Sequence, residues 1–486
     1  MAEKLLIGWS EADITPVTDK FISLSGQYYE RLTKEIHSRL KTVAVAFSCG
    51  GEQFITASMD NGGMQQPFHE LVCKLAHEME PEIQPDHIVM NAIHTHSAPG
   101  AQMLTNKSAV AKENVRPDVL SKQEYVEFVA PIMAKNLVDA WHARKPGGIA
   151  RGFGNARIGH CRRAVFSDGL AEMYGDTTRR DFIGMEAGED SGVEMLFTVD
   201  ENGKKTGMIL NVACPSQNME STYKVSSDFA GATRELLKQE FGPDFHMLYE
   251  ISPAGCQSPR DLVRHFTTEP DFWHEDGVPV LANRLLTAIR NAEIQPVEYA
   301  PVFKHSVVNV SLPRRRASYE EYVKAKAEVA RLIAIQPEKE AFEDFCAVTH
   351  ANEKIPGRPG PYDDKLMHFV QIKNAQAVIN RYEDQDDEPN LTFRMNVVRL
   401  GDCAFADNPF ELYLYYGQNI KARSKATQNF LVQLAAGASR HAGYLPSPDA
   451  ERYKGYGGLI INGQCGHDGG YKLADITVEE INKLFE

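Results

Sequence analysis

The sequence predicts an α/β fold: one large domain over residues 1–486, built of mixed β-sheets flanked by helices. Three observations predict it. Short apolar runs rich in β-branched residues alternate with longer stretches of helical spacing. The first clear unit reads strand, helix, strand. No internal repeat and no low-complexity linker divides the chain. At 486 residues, with 43% hydrophobic and 24% charged residues, the chain has ample material for a core.

Lys41–Cys49 ("KTVAVAFSC") and Glu52–Asp60 ("EQFITASMD") read as two strands joined by the turn Gly50-Gly51. In "PFHELVCKLAHEME", Leu71, Cys73 or Lys74, Leu75 and Met79 fall at helical spacing. His87–Ile93 returns as a buried strand. A long helix is predicted over Lys122–Arg144, with Pro131 as a candidate kink. Gly207–Cys214 and Phe245–Ser252 read as strands on either side of a helix over Phe229–Glu240. The charged stretch Ser318–Phe345 reads as a helical hairpin, part of a helical and loop insertion at about 313–385, and the Pro- and Gly-rich Lys354–Lys365 as an ordered loop. "LTFRMNVVRLGDCAFADNP" is a strand pair turning at Gly401, and "NFLVQLAAG" a further buried strand. A short helix over Val478–Glu486, capped by Thr477, closes the chain.

The formal net charge of −14 argues against a nucleic-acid partner, since polyanions are repelled. No stretch approaches the ~20 apolar residues of a membrane helix, so no membrane insertion is expected. The opening "MAEKLLIGWSEADITP" lacks the apolar core of a signal peptide. Eight scattered cysteines without a CxxC pair suggest reduced thiols and a cytoplasmic protein. The expected partner is a small-molecule substrate. Nothing in the sequence sets an oligomeric state.

Candidate chemistry gathers in the loops after strands, where open α/β sheets place their sites. The stretch "NAIHTHSAPG" puts His94 and His96 just past a strand. On a regular strand, residues two apart face one side, so the pair reads as half of a metal site or as a polar corner bonded to backbone. "PAGCQSPRD" presents Cys256 and Ser258, or an ordinary turn. "NPFELYLYYG" places Glu411 at the start of a helix, where a carboxylate also suits the dipole. "PSQNMES" follows another strand, and "ASRHAGYLPSPDAERYKGYGG" is rich in tyrosine and glycine.

Taken together, these segments resemble the neutral, non-lysosomal ceramidases, zinc-dependent amidases that cleave the N-acyl bond of ceramide. "GWSEADITP" is similar to that family's opening Asp-Ile-Thr signature, and "EIHSRLKTVAVAF" to its Ile-His strand. "HTHSAPG" resembles its His-Thr-His-Ser-Gly-Pro-Gly motif with one glycine replaced by alanine. "AGCQSPRD", "NPFEL" and "GYLPSPDAERYKGYGG" resemble three further family segments, in the family's order. The resemblance implies the neutral ceramidase catalytic fold, with His94, Glu411 and Tyr444 as zinc ligands and His96 assisting beside the metal. It implies Ser258 as nucleophile or water-positioning residue, Arg162 and Tyr456 as groups holding the substrate carbonyl, and His37 in the pocket. Asp60, closing the second strand, is counted with that pocket.

One ligand departs. The family takes a second zinc histidine from a segment similar to Phe-x-Cys-His-Pro-Thr; here "NVACPSQ" runs from Cys214 directly to Pro215. Cys214 thiolate in its place, a three-ligand site, and a metal-free site with Cys214 an ordinary buried thiol all stay open. No amphipathic basic stretch suggests a lipid surface, so the expected activity is cleavage of a C–N amide or related acyl bond in a small polar molecule rather than ceramide. Metal-free chemistry on a sugar-like compound and a non-catalytic binding protein that kept the fold are the alternatives.

Overall fold

The computed structural model describes residues 4–101, 116–267, 274–352, 367–435 and 437–486. The α/β class is borne out: two mixed sheets lie face to face and helices cover their outer faces. The larger sheet runs His246–Ile251, Lys205–Val212, Gly192–Asp200, Lys145–Asn155, Leu6–Asp13, Lys41–Cys49, Glu52–Met59, Ile88–Ala92, with the short Glu293–Ile294 on the side of Lys145–Asn155. Its pairs are antiparallel except at the two ends, where Lys205–Val212 meets His246–Ile251 and Glu52–Met59 meets Ile88–Ala92 in parallel. The smaller sheet is Phe303–Pro313, Asn390–Leu400, Cys403–Asp407, Gln428–Val432.

Side-chain alternation along the strands explains the layers. Val43, Val45, Phe47 and Phe54 point inward to a core shared with Val398, Leu400, Phe405 and Phe430 of the smaller sheet. Their neighbours Ala44, Ala46, Ile55 and Ala57 point outward, to a core with the helices Gln66–Met79 and Lys122–His142. On the smaller sheet, Met395, Val397, Ala404 and Ala406 face away, toward Leu473, Val478 and Ile481 of the last helix. The loops that follow the parallel strands meet: Ser216 N–H donates to the Ile93 carbonyl at 2.9 Å, and Gln433 N–H to the Ile251 carbonyl at 3.0 Å.

Several expectations need adjustment. The helix Gln66–Met79 buries Phe68, His69, Val72, Cys73 and Ala76, a face rotated from the one read from Leu71, Leu75 and Met79. Lys122–His142 runs through Pro131 and starts at a Ser121–Glu124 capping box. The expected hairpin is two helices, Tyr319–Ile335 and Glu338–Asn352, joined by a third, His368–Asp384; the loop read at Lys354–Lys365 lies outside the described residues. The last helix spans His467–Leu484, so Thr477 is no cap: its hydroxyl donates to the Leu473 carbonyl one turn back at 2.8 Å. The segment "QCGHDGGYK" thus carries the start of this helix. Gly470 is there because any Cβ would lie 2.1 Å from the Tyr416 ring.

Among the described residues no helix is long and apolar enough to cross a membrane. All eight cysteines are free thiols.

Candidate active site

His94 lies two residues beyond the strand Ile88–Ala92, in a left-handed conformation with φ 61°. The convergence expected from strand alternation is thus produced by a backbone turn, a strained conformation typical of functional loops. Thr95 and Ser97 pin that turn, their hydroxyls donating to the carbonyls of Ser226 (2.8 Å) and Met219 (2.9 Å). The two rings meet nearly perpendicular, centroids 4.7 Å apart, with Nε2 of His94 and His96 at 3.2 Å.

Glu411 and Tyr444 come from segments far apart in sequence but pair directly, in a two-residue parallel ladder of Glu411–Leu412 with Tyr444–Leu445. Paired residues of a ladder present their side chains to the same side, which puts carboxylate and phenol together. Glu411 therefore precedes the helix Leu414–Arg423 and is no part of it. Its Oε2 is 3.8 Å from His94 Nε2. Arg162 follows the short strand His160–Cys161, held by its backbone N–H donating to the Cys256 carbonyl at 3.2 Å. Its Nη2 donates to the Tyr444 hydroxyl at 2.8 Å and lies 3.9 Å from Glu411.

His94, His96, Glu411, Tyr444 and Tyr456 line one cavity of about 270 Å³, which His441, Asn462 and Gln464 share. The Tyr456 hydroxyl meets that of Tyr28 at 2.9 Å. Burial pushes the Tyr444 and Tyr456 phenols above their usual range. Burial works against the Arg162 charge, but Tyr444, Tyr174, Glu411 and Glu220 around it raise its pKa. His96 is held well below the usual histidine value by burial, then by His94, Arg31, Arg162 and Arg260.

Arg162 is buried and stands behind the cavity wall, reaching it through Tyr444, and four other sequence-predicted residues are not brought to the cavity at all. Cys214 is fully buried, its Sγ turned to the carbonyls of Ile158 (3.5 Å) and Pro215 (3.4 Å) and away from this cavity; burial and then Asp228 push its thiol well up. Ser258 is also fully buried, and its Oγ accepts the Arg260 backbone N–H at 3.2 Å, an ordinary turn contact. Asp60 is the partner of Arg234 in a buried bidentate pair at 2.8 and 3.0 Å. His37 is solvent-exposed and contacts Ser226 Oγ at 3.2 Å.

The sequence reading missed Glu220, His441, Gln464 and Tyr28. Glu220 belongs to "PSQNMES", a strand-end loop already in view, but a lone carboxylate there gave no further signal. It is buried, with Oε1 accepting from Tyr174 Oη (3.1 Å) and paired with Arg260 Nη2 (3.0 Å), and Oε2 3.5 Å from His96 Nδ1.

The donor set tests the implied zinc. Among the described residues no three His, Cys, Asp or Glu side chains close into a ligand cluster. The third donor beside His94 and Glu411 is a tyrosine. His94 Nδ1 lies 2.5 Å from the Gly62 carbonyl, so Nδ1 carries the proton and Nε2 offers its lone pair, the orientation of metal-binding histidines. An imidazole, a carboxylate and a phenol on one cavity wall suit a divalent cation.

This architecture is similar to that of solved ceramidase structures. The chain superposes on the crystal structure of neutral ceramidase from Pseudomonas aeruginosa with a TM-score of 0.64, at 15% identity, covering 98% of this chain and 74% of that one. A ceramidase complexed with C2 gives 0.67 at 14% identity, covering 99% and 75%. In sequence, 229 residues are 24% identical to the neutral ceramidase of Pseudomonas aeruginosa, 46% of this chain but only 32% of that protein. No family model matches. The resemblance read from the motifs is thus borne out in the fold, at the distance of a divergent relative.

Proposed function

We propose that the chain is a ceramidase-like hydrolase that cleaves an amide or related acyl C–N bond of a small polar molecule, using a divalent metal held by His94, Glu411 and Tyr444. The observation that carries this reading is the cavity of about 270 Å³, with these three donors on its wall and Arg162 bonded to Tyr444. A bound metal ion would polarise the scissile carbonyl and make water nucleophilic near neutral pH. Arg162 and Tyr456 supply donors for the carbonyl oxygen as it gains charge.

The size of the cavity supports a small substrate, since it falls just below the ~300–1,000 Å³ of drug-sized sites. The insertion adds to this. Phe345 of the helix Glu338–Asn352 packs edge-on against Tyr28, whose hydroxyl meets Tyr456 at the cavity. No nucleic acid or membrane partner is proposed for a chain of net charge −14, and its eight free thiols favour the cytoplasm.

The test is hydrolysis of short-chain N-acyl amides by the purified chain, before and after chelation, beside His94→Ala and Glu411→Ala. Turnover lost on chelation and in both variants supports the reading; undiminished turnover in both variants overturns it. Turnover that survives chelation moves the balance to metal-free chemistry, for which Arg162 is already the fixed cation beside Glu411.

A further inference from the structure

Two amide side chains on the cavity wall, Asn462 and Gln464, are turned in opposite senses. Gly463 between them is extended, at φ −155° and ψ 155°, so the two face one side, and both line the cavity. Only glycine fits there, because a Cβ at 463 would lie 2.3 Å from the Tyr444 carbonyl oxygen. Gln464 N–H donates to the Ala442 carbonyl at 3.1 Å, which ties this segment to the one carrying Tyr444. Gln464 Oε1 accepts from two guanidiniums, Arg314 Nε at 3.1 Å and Arg381 Nη2 at 3.2 Å. Turning the amide over would set its NH2 against both of these donors, so its sense is fixed. Its Nε2 hydrogens are what remains for the cavity. Asn462 is set the other way: Nδ2 donates to the Tyr456 carbonyl at 2.5 Å, and Oδ1 is the acceptor left over.

Positive charge stands behind the Gln464 donor. Arg314 and Arg381 are both buried. Among the described residues Arg314 has a carboxylate partner, Asp384 at 2.9 and 3.1 Å, but Asp384 is shared with Arg440 at 2.8 Å. Arg381 bonds only uncharged oxygens, the carbonyls of Arg315 (2.8 Å), Gly463 (3.0 Å) and Gln464 (3.2 Å) beside Gln464 Oε1. Burial and then Arg314 bring the Arg381 guanidinium down to about 10, as expected where positive charge is not fully offset. Two cations drawing on Oε1 polarise the amide and strengthen its N–H groups as donors. A donor of that kind suits an anionic acceptor.

We propose that the substrate is an N-acyl amino acid, its carboxylate accepting from Gln464 Nε2 and its scissile N–H donating to Asn462 Oδ1. This rests on the hydrolase reading above and adds the class of amine released. One carbon separates the nitrogen of an α-amino acid from its carboxylate, so a neighbouring donor and acceptor on one extended stretch match it. In the reaction the oxygen of water bonds the acyl carbon, and the C–N bond breaks with its electron pair going to nitrogen. Both water protons end on that nitrogen, giving a carboxylate and an amino acid with a free ammonium group. Arg314 and Arg381 act through Gln464 and are positioning residues.

The experiment compares N-acetylglycine with N-acetylglycinamide, which replaces the carboxylate by a neutral carboxamide, by acetate release from the purified full chain. The wild type should favour N-acetylglycine by ~10–100-fold in kcat/KM, the worth of a hydrogen bond to a charged group. Gln464→Glu keeps an oxygen for both arginines and exchanges the donor for a second oxygen. With folding checked by circular dichroism, this variant should lose the preference or reverse it. If it does not fold, the wild-type ratio decides alone. Equal or inverted kcat/KM in the wild type, or an undiminished preference in folded Gln464→Glu, overturns this inference and leaves the hydrolase reading in place. Turnover of other short-chain amides without any of N-acetylglycine does the same. No acetate from any N-acetyl amide overturns both together.

Discussion

Arg162 and Tyr444, 282 residues apart in sequence, meet inside the molecule, guanidinium Nη2 to phenol oxygen at 2.8 Å. Each is fixed from its own side: Arg162 by the backbone of Cys256, Tyr444 by the ladder that pairs it with Glu411. The result is a buried cation aimed at the same wall as the candidate ligands. A fixed donor of this kind costs no reorganisation as charge develops on a substrate.

Arg162→Lys tests that role. Lysine keeps a charge but loses the planar guanidinium whose Nη2 bonds Tyr444 and faces Glu411. Turnover on a small N-acyl amide should fall on the order of 100-fold, with KM changing far less, because the interaction strengthens only as the oxyanion forms. Steady-state kinetics separates the two parameters. An equal rise in KM with unchanged kcat would make Arg162 a plain binding residue.

Ser258→Ala should do little. Its hydroxyl accepts one backbone N–H at 3.2 Å in a fully buried turn, so the loss is about 1 kcal/mol of stability and turnover should stay within a few-fold of wild type. A drop of a hundredfold in a protein that melts normally would restore the nucleophile role implied by the resemblance.

The contrast between Arg162 and Ser258 shows what the sequence could carry. Motifs that follow strand ends (His94 and His96, Glu411, Tyr444) did converge, because those segments pair with or meet one another whatever the distance in sequence. Ser258 also follows a strand end but points into protein, and side-chain direction after a turn is set by packing no local pattern records. Glu220 was invisible for the complementary reason: its meaning comes from Arg260, Tyr174 and His96, three residues from three separate segments. The last helix starts at His467, well before the expected Val478, across Gly469 and Gly470, which helical propensity disfavours, whereas Tyr416 packed against the helix demands a glycine at 470.

Glu250 gives a pH prediction. It lies fully buried on the strand His246–Ile251, with Asn211 Nδ2 donating to it at 3.2 Å, and burial pushes its carboxyl from the ordinary 4.5 up to about 8. A carboxyl raised in the folded state contributes stability that is fully present below the unfolded value and lost as pH rises through the folded one. Stability should therefore decline between about pH 4.5 and about pH 8 on this account. Glu250→Gln keeps the hydrogen-bonding shape without the proton, and should flatten the decline, gaining roughly a few kcal/mol over wild type above pH 8. Urea unfolding at pH 5, 7 and 9 reads it, and parallel profiles for the two proteins would refute it.

Tyr28 is expected to limit how large a substrate the cavity admits. It is 45% exposed, yet its hydroxyl reaches Tyr456 at 2.9 Å and its ring is braced by Phe345 at 5.4 Å. It thus links the helical insertion to the cavity, and the site is narrow for as long as that link stands. Tyr28→Ala should open the wall between them and let an added acyl chain bury against Phe345, each CH₂ contributing up to ~0.8 kcal/mol. Comparing kcat/KM for acetyl and hexanoyl amides of one amine, the ratio should move toward hexanoyl by roughly tenfold, the effect of about 1.4 kcal/mol of added burial. Tyr28→Phe, which keeps the ring and removes only the hydroxyl, should leave the ratio near that of wild type. If alanine and phenylalanine shift it equally, the hydrogen bond to Tyr456 rather than the bulk of the ring sets the preference; if neither shifts it, the size limit lies elsewhere in the cavity wall.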